Sequence, residues 1–248
     1  MADINDHLVL ACGKSATGKS ASLMNLKDPE GVMYLNCESG KRLPFKASFK
    51  KGPDGNVGFT IIDPLQIPEA FEYAETDPKI HTIVVDSATY MMDMYESVHV
   101  LTNPNTMQAW GEFAQFFKKL MQVTVAKSTK NVVFTAHTLD ILNEKEMSIE
   151  THVPVKGSLK NNGIESYFSV VIATKKMPLS KLTDYKNDLL VITEDEESLG
   201  FKYVFQTKLT KETVGERIRG PLGMFSTAET YIDNNMQLIF DRLKEYYA

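Results

Sequence analysis

Residues 13–20 read Gly-Lys-Ser-Ala-Thr-Gly-Lys-Ser and fill every fixed position of the pattern G-x-x-x-x-G-K-[ST]. Glycines at the first and sixth positions let the backbone curl, so that successive N–H groups converge on an anion. In such a loop Lys19 reaches the β- and γ-phosphates, and the Ser20 hydroxyl is a ligand for Mg²⁺. The loop therefore predicts a site for ATP and Mg²⁺ built from Gly13, Lys14, Ser15, Ala16, Thr17, Gly18, Lys19, Ser20 and Ala21.

The sequence on either side of this loop favours a strand before it and a helix after it. Residues 7–12 are a short apolar run, and residues 21–26 favour a helix that ends near Asp28-Pro29. Similar apolar runs alternate with segments of helical periodicity farther along the chain. The predicted strands are 32–37, 57–62, 81–85 and 131–136, and the predicted helices are 68–75, 89–100 and 107–125. This alternation indicates an α/β domain with a mostly parallel central sheet flanked by helices.

The C-terminal part of the chain has a different pattern. Residues 140–155 are polar and weakly patterned, which predicts a mobile loop or a hairpin. Farther on we expect a short helix at 163–168, strands at 167–174, 189–193 and 201–209, and a closing helix at 227–247. Because no linker divides the sequence, residues 1–248 are interpreted as a single domain with a C-terminal antiparallel extension.

Three polar residues stand where predicted strands end, at the sheet edge that carries the phosphate loop. Asp86 ends the run 81–86 and is predicted to hold Mg²⁺ together with Ser20. Glu38 follows the strand 32–37 and is either the base for an attacking water or an ordinary loop carboxylate. His137 ends the strand 131–136 and is either a sensor of the γ-phosphate or a structural histidine.

These segments together resemble the RecA-type branch of P-loop ATPases over roughly residues 7–140. The resemblance rests on GKSATGKS, YLNCES with Glu38, TIVVDS with Asp86 and VVFTAH with His137. More narrowly, the chain is similar to phage-encoded RecA-like ATPases, the AAA_24-type nucleotide-binding proteins that include single-strand annealing recombinases of the Sak group. VPVKGSLKNNGIESYFSVVIAT and ERIRGPLGMF contribute to this narrower likeness. The resemblance implies that residues 1–248 form a RecA-like P-loop NTPase core.

The same resemblance implies partners and further site residues. It implies an ATPase that forms homo-oligomers on single-stranded DNA, with nucleotide at the subunit interfaces, during phage recombination or strand annealing. A single-strand DNA-binding protein is a further implied partner. Residues 97–107 and 139–160 would face the DNA. Cations that reach the nucleotide of a neighbouring subunit would come from Lys156, Lys160, Arg217 and Arg219.

Composition narrows the class of protein. The 248 residues carry a net charge of −5, which argues against a protein that coats duplex DNA through bulk positive charge. No apolar run approaches the roughly 18 residues of a membrane helix, and residues 1–6 lack the features of a signal peptide. With only two cysteines, the chain is expected in the cytoplasm, in an infected bacterial cell if it is phage-encoded.

The sequence is also compatible with two other functions. The first is a nucleotide-gated oligomeric DNA-binding module in which hydrolysis is incidental. The second is a small-molecule kinase, which shares the phosphate loop but for which the sequence offers no lid with clustered arginines. A basic run at 41–51 with two interleaved phenylalanines indicates either a nucleic-acid contact or a solvated loop.

Overall fold

The computed structural model describes residues 5–145, 147–161 and 163–248. Its strands are β1 (Leu8–Gly13), β2 (Val32–Asn36), β3 (Phe59–Thr60), β4 (Thr82–Asp86), β5 (Asn131–His137), β6 (Leu139–Asn143), β7 (Ser148–His152), β8 (Val170–Pro178), β9 (Phe201–Gln206) and β10 (Tyr231–Asp233). Its α-helices are α1 (Gln66–Thr76), α2 (Ala88–Tyr95), α3 (Thr106–Lys119), α4 (Glu194–Leu199) and α5 (Met236–Tyr246).

Eight of the strands form one mixed sheet in the order β10-β9-β8-β1-β5-β4-β2-β3. The strands from β8 to β3 in this order run parallel to their neighbours, whereas β9 pairs antiparallel with β8 and β10 antiparallel with β9. The α/β class, the mostly parallel sheet and the antiparallel extension are thus confirmed. Because β1 lies between β5 and β8, the loop that follows β1 emerges near the middle of the sheet edge.

Both faces of the sheet are buried, which explains why its strands are apolar at every position. On β1, Leu8 and Leu10 face a core that includes Phe113 and Phe117 of α3. The alternate residue Val9 faces a second core that includes Phe240 of α5. Side chains on a strand alternate between faces, so a strand covered on both sides has no polar face to show in the sequence.

The helix predicted at 21–26 is wrong in extent. Only a single 3₁₀ turn, Ser20–Leu23, follows the phosphate loop. The chain then turns toward the C-terminal helix α5, where the Lys27 ammonium pairs with Asp241 and the Lys27 N–H donates to Gln237. Asp28-Pro29 begins a second 3₁₀ turn, because the proline ring fits the first position of a helix and not its interior.

Two C-terminal predictions are also wrong. Residues 189–193 form no strand, and the acidic stretch after them is the helix α4, whose first turn is closed by a capping box between Thr193 and Glu196. The closing helix predicted at 227–247 is divided into a 3₁₀ turn, the strand β10 and the helix α5. Tyr231 and Ile232 suit a buried strand, and Asn235 caps α5 by accepting a hydrogen bond from the Gln237 N–H.

The structure shortens two further predicted elements and decides between the two alternatives for residues 140–155. The strand predicted at 57–62 is reduced to Phe59–Thr60, and the helix predicted at 163–168 is the 3₁₀ turn Ile164–Tyr167. Of the two alternatives for 140–155, the hairpin is confirmed, because β6 and β7 pair antiparallel as a separate two-stranded sheet. In the part of the chain that the structure describes, no helix has the length and apolar character needed to cross a membrane.

Candidate functional site

The phosphate loop leaves the end of β1 and returns on itself before the 3₁₀ turn. Ala16 and Gly18 have φ values of 60° and 97°, which give the loop its curl. The Asn234 side chain, just before α5, donates a hydrogen bond from Nδ2 to the Gly18 carbonyl oxygen over 2.8 Å. A Cβ atom on Gly18 would lie 2.6 Å from that nitrogen, so both the backbone angle and the close neighbour require glycine.

Lys19 lies inside the loop and not on its surface. Its side chain is buried, and Nζ donates hydrogen bonds to the carbonyl oxygens of Gly13 and Lys14 over 2.9 and 2.7 Å. Burial lowers the pKa of Lys19 to about 8, against the opposing effect of the Asp86 and Glu38 carboxylates. The ammonium group is therefore held at the point where phosphate oxygens would enter the loop.

Asp86, at the end of β4, lies beside the loop and accepts hydrogen bonds from three hydroxyl groups. Ser20 Oγ and Tyr34 OH each donate to Oδ2 over 2.8 Å, and Thr135 Oγ1 donates to Oδ1. Burial and the neighbouring Asp86 raise the pKa of Tyr34, so the phenol remains a donor. The carboxylate is thereby fixed in orientation and joined directly to Ser20.

The Asp86 carboxylate and the Ser20 hydroxyl together suit Mg²⁺. The ion prefers hard oxygen ligands and keeps several waters, with a few protein oxygens and the phosphates of the nucleotide completing its shell. Among the described residues no cluster of three or more His, Cys, Asp or Glu side chains forms a metal cage. Ser20 and Asp86, joined by their hydrogen bond, are the residues that would hold the ion in a P-loop site.

Glu38, two residues after β2, has two cationic or polar neighbours. Its Oε2 accepts a hydrogen bond from Lys41 Nζ over 2.8 Å, and its Oε1 lies 3.7 Å from His137 Nε2. Interaction with His137 and with Lys41 lowers the pKa of Glu38 to about 2, although burial opposes the shift. The carboxylate is therefore ionised and held between Lys41 and His137, and an ionised carboxylate can accept a proton.

The sequence profile of a protein family described as AAA domain matches residues 6–199, which include the loop, Glu38, Asp86 and His137. The chain belongs to this AAA-domain family. It is therefore a P-loop ATPase by family. A search of curated proteins found no match to the chain.

In this AAA domain six of the nine predicted loop residues lie around one cavity of about 380 Å³, together with the predicted metal and base residues. Its walls include Ser15, Ala16, Gly18, Lys19, Ser20, Ala21, Glu38, Asp86 and His137. Gly13, Lys14 and Thr17 belong to the same loop but line a separate cavity behind it, which is about 400 Å³ in volume. There the Lys14 ammonium pairs with Asp140.

The predicted cations for a neighbouring subunit lie outside the nucleotide cavity of their own chain. Lys156 pairs with Glu96 and with Asp93, whose Oδ1 is 3.2 Å from its Nζ. Arg217 pairs with Glu165 over 3.1 Å, and it shares a small cavity with Lys160. Arg219 is exposed and exchanges backbone hydrogen bonds with Val171. Their action on a neighbouring subunit remains a prediction.

Sequence reasoning missed several residues of the AAA-domain site. Tyr34 and Thr135 hold Asp86, Lys41 and Arg42 line the cavity, and Asn234 holds the loop. Thr135 is the polar residue within the apolar strand β5, and that interruption was a usable signal. Asn234 left no such signal, because it lies 216 residues from its partner and beyond the residues that the family profile matches.

The lowered pKa of Lys19 predicts how nucleotide affinity depends on pH. Below pH 8 Lys19 is charged in the free protein and binds phosphates without taking up a proton. Above pH 8 the free protein increasingly carries neutral lysine, whereas bound phosphates favour the ammonium, so binding requires proton uptake. We expect ADP affinity to fall by up to about tenfold per pH unit above pH 8.

Isothermal titration calorimetry in two buffers of different ionisation enthalpy measures this uptake. With ADP and Mg²⁺ we expect about one proton to be taken up at pH 9 and almost none by Lys19 at pH 7. Equal proton uptake at both values of pH would contradict a buried lysine with a lowered pKa.

Proposed function

We propose that this AAA domain hydrolyses ATP when it binds single-stranded DNA. The observation that carries the proposal is a hairpin, β6–β7, connected to the nucleotide site. β6 begins two residues after His137, which lies next to Glu38, and Asp140 of β6 pairs with Lys14 of the phosphate loop. A ligand that moves the hairpin would therefore act on both the loop and the neighbour of the base.

The hairpin has the surface of a binding element. Leu142 and Ile149 lie opposite each other on the two strands and are 58% and 60% exposed. Leu139 and Ile141 are also exposed. An isolated two-stranded hairpin is marginally stable in water, and its exposed apolar side chains gain free energy when they are covered. In duplex DNA, apolar side chains of this kind insert between base steps, and we propose the same type of contact with the unpaired bases of a single strand.

The net charge of −5 fits a single strand held by local contacts better than a duplex held by bulk charge. Lys145 lies at the turn of the hairpin, and Lys160 lies beyond its second strand. Lys156 is neutralised by its two acidic partners and is a weaker candidate for a phosphate contact.

The aromatic residues of the basic run at 41–51 serve packing, because Phe49 is buried and Phe45 packs edge-on against it. The hairpin is therefore the favoured DNA contact.

We expect the double substitution Leu142→Ser with Ile149→Ser to weaken binding of single-stranded DNA by about tenfold or more. The basis is that fully burying one Leu or Ile side chain is worth roughly 1.5–3 kcal/mol. Fluorescence anisotropy with a labelled oligothymidine in the presence of Mg²⁺ and a non-hydrolysable ATP analogue measures the affinity. Circular dichroism checks that the variant is folded.

Leu222→Ser is the matched control, because Leu222 is 93% exposed and lies far from the hairpin in sequence. Its DNA affinity should equal that of the wild type. Equal affinity of the hairpin variant and the wild type would remove the hairpin from the DNA site, and wild-type protein with no affinity for DNA would overturn the proposed function.

We further propose that the chain acts as a homo-oligomer with nucleotide at the subunit interfaces, in recombination or strand annealing of phage DNA. Support for this comes from the resemblance of its motifs to RecA-type ATPases. Light scattering with and without ATP and single-stranded DNA tests the assembly. A monomeric mass under all conditions would overturn it.

A further inference from the structure

Two cations from the same chain line the nucleotide cavity together with the phosphate loop. Apart from Lys19, the described lysines and arginines that line the cavity are Lys41 and Arg42. Both are exposed at its rim, and both belong to the segment that follows β2. The four cations proposed to act on a neighbour are absent from its lining.

The turn that presents Lys41 is fixed by hydrogen bonds. Asn36, at the end of β2, accepts from the Glu38 N–H over 2.9 Å and donates from Nδ2 to the Lys41 carbonyl oxygen over 2.9 Å. The Lys41 N–H donates to the Glu38 carbonyl oxygen over 3.0 Å. Ser39 and Gly40 complete the turn with φ values of 53° and 75°. The turn therefore brings Lys41 back over Glu38 with little freedom in the backbone.

The side chains at this turn form an arrangement suited to an incoming anion. Lys41 Nζ lies 2.8 Å from Glu38 Oε2, yet the Lys41 side chain is 69% exposed, so its ammonium is free to move to another anion nearby. Arg42 makes no hydrogen bond or ion pair with any residue that the structure describes. A guanidinium group without a partner at the rim of a phosphate cavity matches the part that an arginine finger plays.

We propose that Lys41 and Arg42 bind the γ-phosphate of ATP in cis, and that Lys41 leaves Glu38 when it does so. The inference rests on the proposed ATPase function and names the cations of that site. Water then forms a bond from its oxygen to the γ-phosphorus and gives its proton to the Glu38 carboxylate. The bond between the γ-phosphorus and the bridging oxygen breaks, and its electron pair stays on the β-phosphate of the departing ADP. The two cations offset the negative charge on the transferring group.

The proposal assigns a second role to the pair between Lys41 and Glu38. His137 and Lys41 together lower the pKa of Glu38, so the carboxylate is a weaker base while Lys41 stays paired with it. A γ-phosphate competes for the same ammonium, so Glu38 becomes a stronger base only when a triphosphate is bound. ADP has no γ-phosphate, so it leaves the ion pair between Lys41 and Glu38 in place.

Binding of ADP and of a non-hydrolysable ATP analogue separates the proposal from a merely structural role. We expect the double substitution Lys41→Gln with Arg42→Gln to lower affinity for the analogue by about tenfold and to leave ADP affinity within about twofold of the wild type. Isothermal titration calorimetry with Mg²⁺ measures both. Lys79→Gln, an exposed change outside the cavity, is the control and should alter neither affinity.

We also expect the double variant to lose hydrolysis, because the two cations offset charge on the transferring group. Mixing it with a second variant that is expected to lose hydrolysis separates cations acting in cis from cations acting in trans. One variant is Lys19→Ala, and the other is the double variant. If Lys41 and Arg42 act in cis, equimolar mixing leaves phosphate release as low as in the separate variants. If they act on a neighbour, mixed oligomers contain complete sites and release is restored.

Restored release, or an equal loss of affinity for ADP and the analogue, would overturn the proposal. Wild-type protein that binds no nucleotide would instead overturn the proposed ATPase function, so the two failures are distinguishable.

Discussion

Replacing Lys19 with alanine is expected to weaken ATP binding by about 100-fold and to abolish hydrolysis. The Lys19 ammonium is buried within the loop and bonded to two of its carbonyl oxygens, so it meets the phosphates away from bulk water. Hydrogen bonds to charged groups contribute roughly 1.5–3 kcal/mol, and each 1.4 kcal/mol corresponds to about tenfold in affinity. Equilibrium titration with a fluorescent ATP analogue in the presence of Mg²⁺ measures the loss.

Lys27→Ala is the matched control for this variant. Lys27 follows the same loop, but its side chain is exposed and pairs with Asp241 on α5. Its removal should change nucleotide affinity by less than about twofold, because surface ion pairs contribute little free energy. Similar affinities of Lys19→Ala and the wild type would show that the phosphates bind elsewhere.

Replacing Glu38 with glutamine is expected to lower the rate of ATP hydrolysis by about 10²–10⁴-fold, the usual contribution of a general base. The amide keeps the shape of the side chain but accepts no proton from water. It also removes the negative charge next to Lys41 and His137, so the affinity for ATP should not fall. Single-turnover phosphate release and an equilibrium titration with the ATP analogue measure the two effects separately.

Glu72→Gln, an exposed change on α1, is the control for the loss of one carboxylate and should leave the rate of ATP hydrolysis unchanged.

The Glu38 variant also separates an ATPase from a nucleotide-gated DNA-binding module. If its hydrolysis falls while strand annealing persists, nucleotide binding is the function and turnover is incidental. A variant that hydrolyses ATP at the wild-type rate would exclude Glu38 as the base.

The parts of the site that lie at the ends of parallel strands could be predicted from the sequence. The loop at 13–20, Glu38, Asp86 and His137 each follow an apolar run, and parallel strands place such ends at one edge of the sheet. The sequence was sufficient because topology alone brings these residues together. No side-chain conformation had to be known for that step.

Contacts between distant segments could not be predicted in this way. The bond from Asn234 to Gly18 depends on how the C-terminal segment packs, and a strand, β10, stands where periodicity predicted a helix. The pairing of Lys41 with Glu38 depends on a turn with two residues of positive φ, of which only Gly40 is a glycine. Burial and turn geometry decided these features, and neither follows from the spacing of residue types.

Phosphate release from ATP by the purified wild-type chain, with Mg²⁺ and in parallel with Lys19→Ala, tests the central claim most directly. The site described above predicts steady release by the wild type, dependent on Mg²⁺ and increased by single-stranded DNA, and no release above background by the variant. Absence of release from the wild type under all these conditions, or equal release from both proteins, would contradict an ATPase site at residues 13–20.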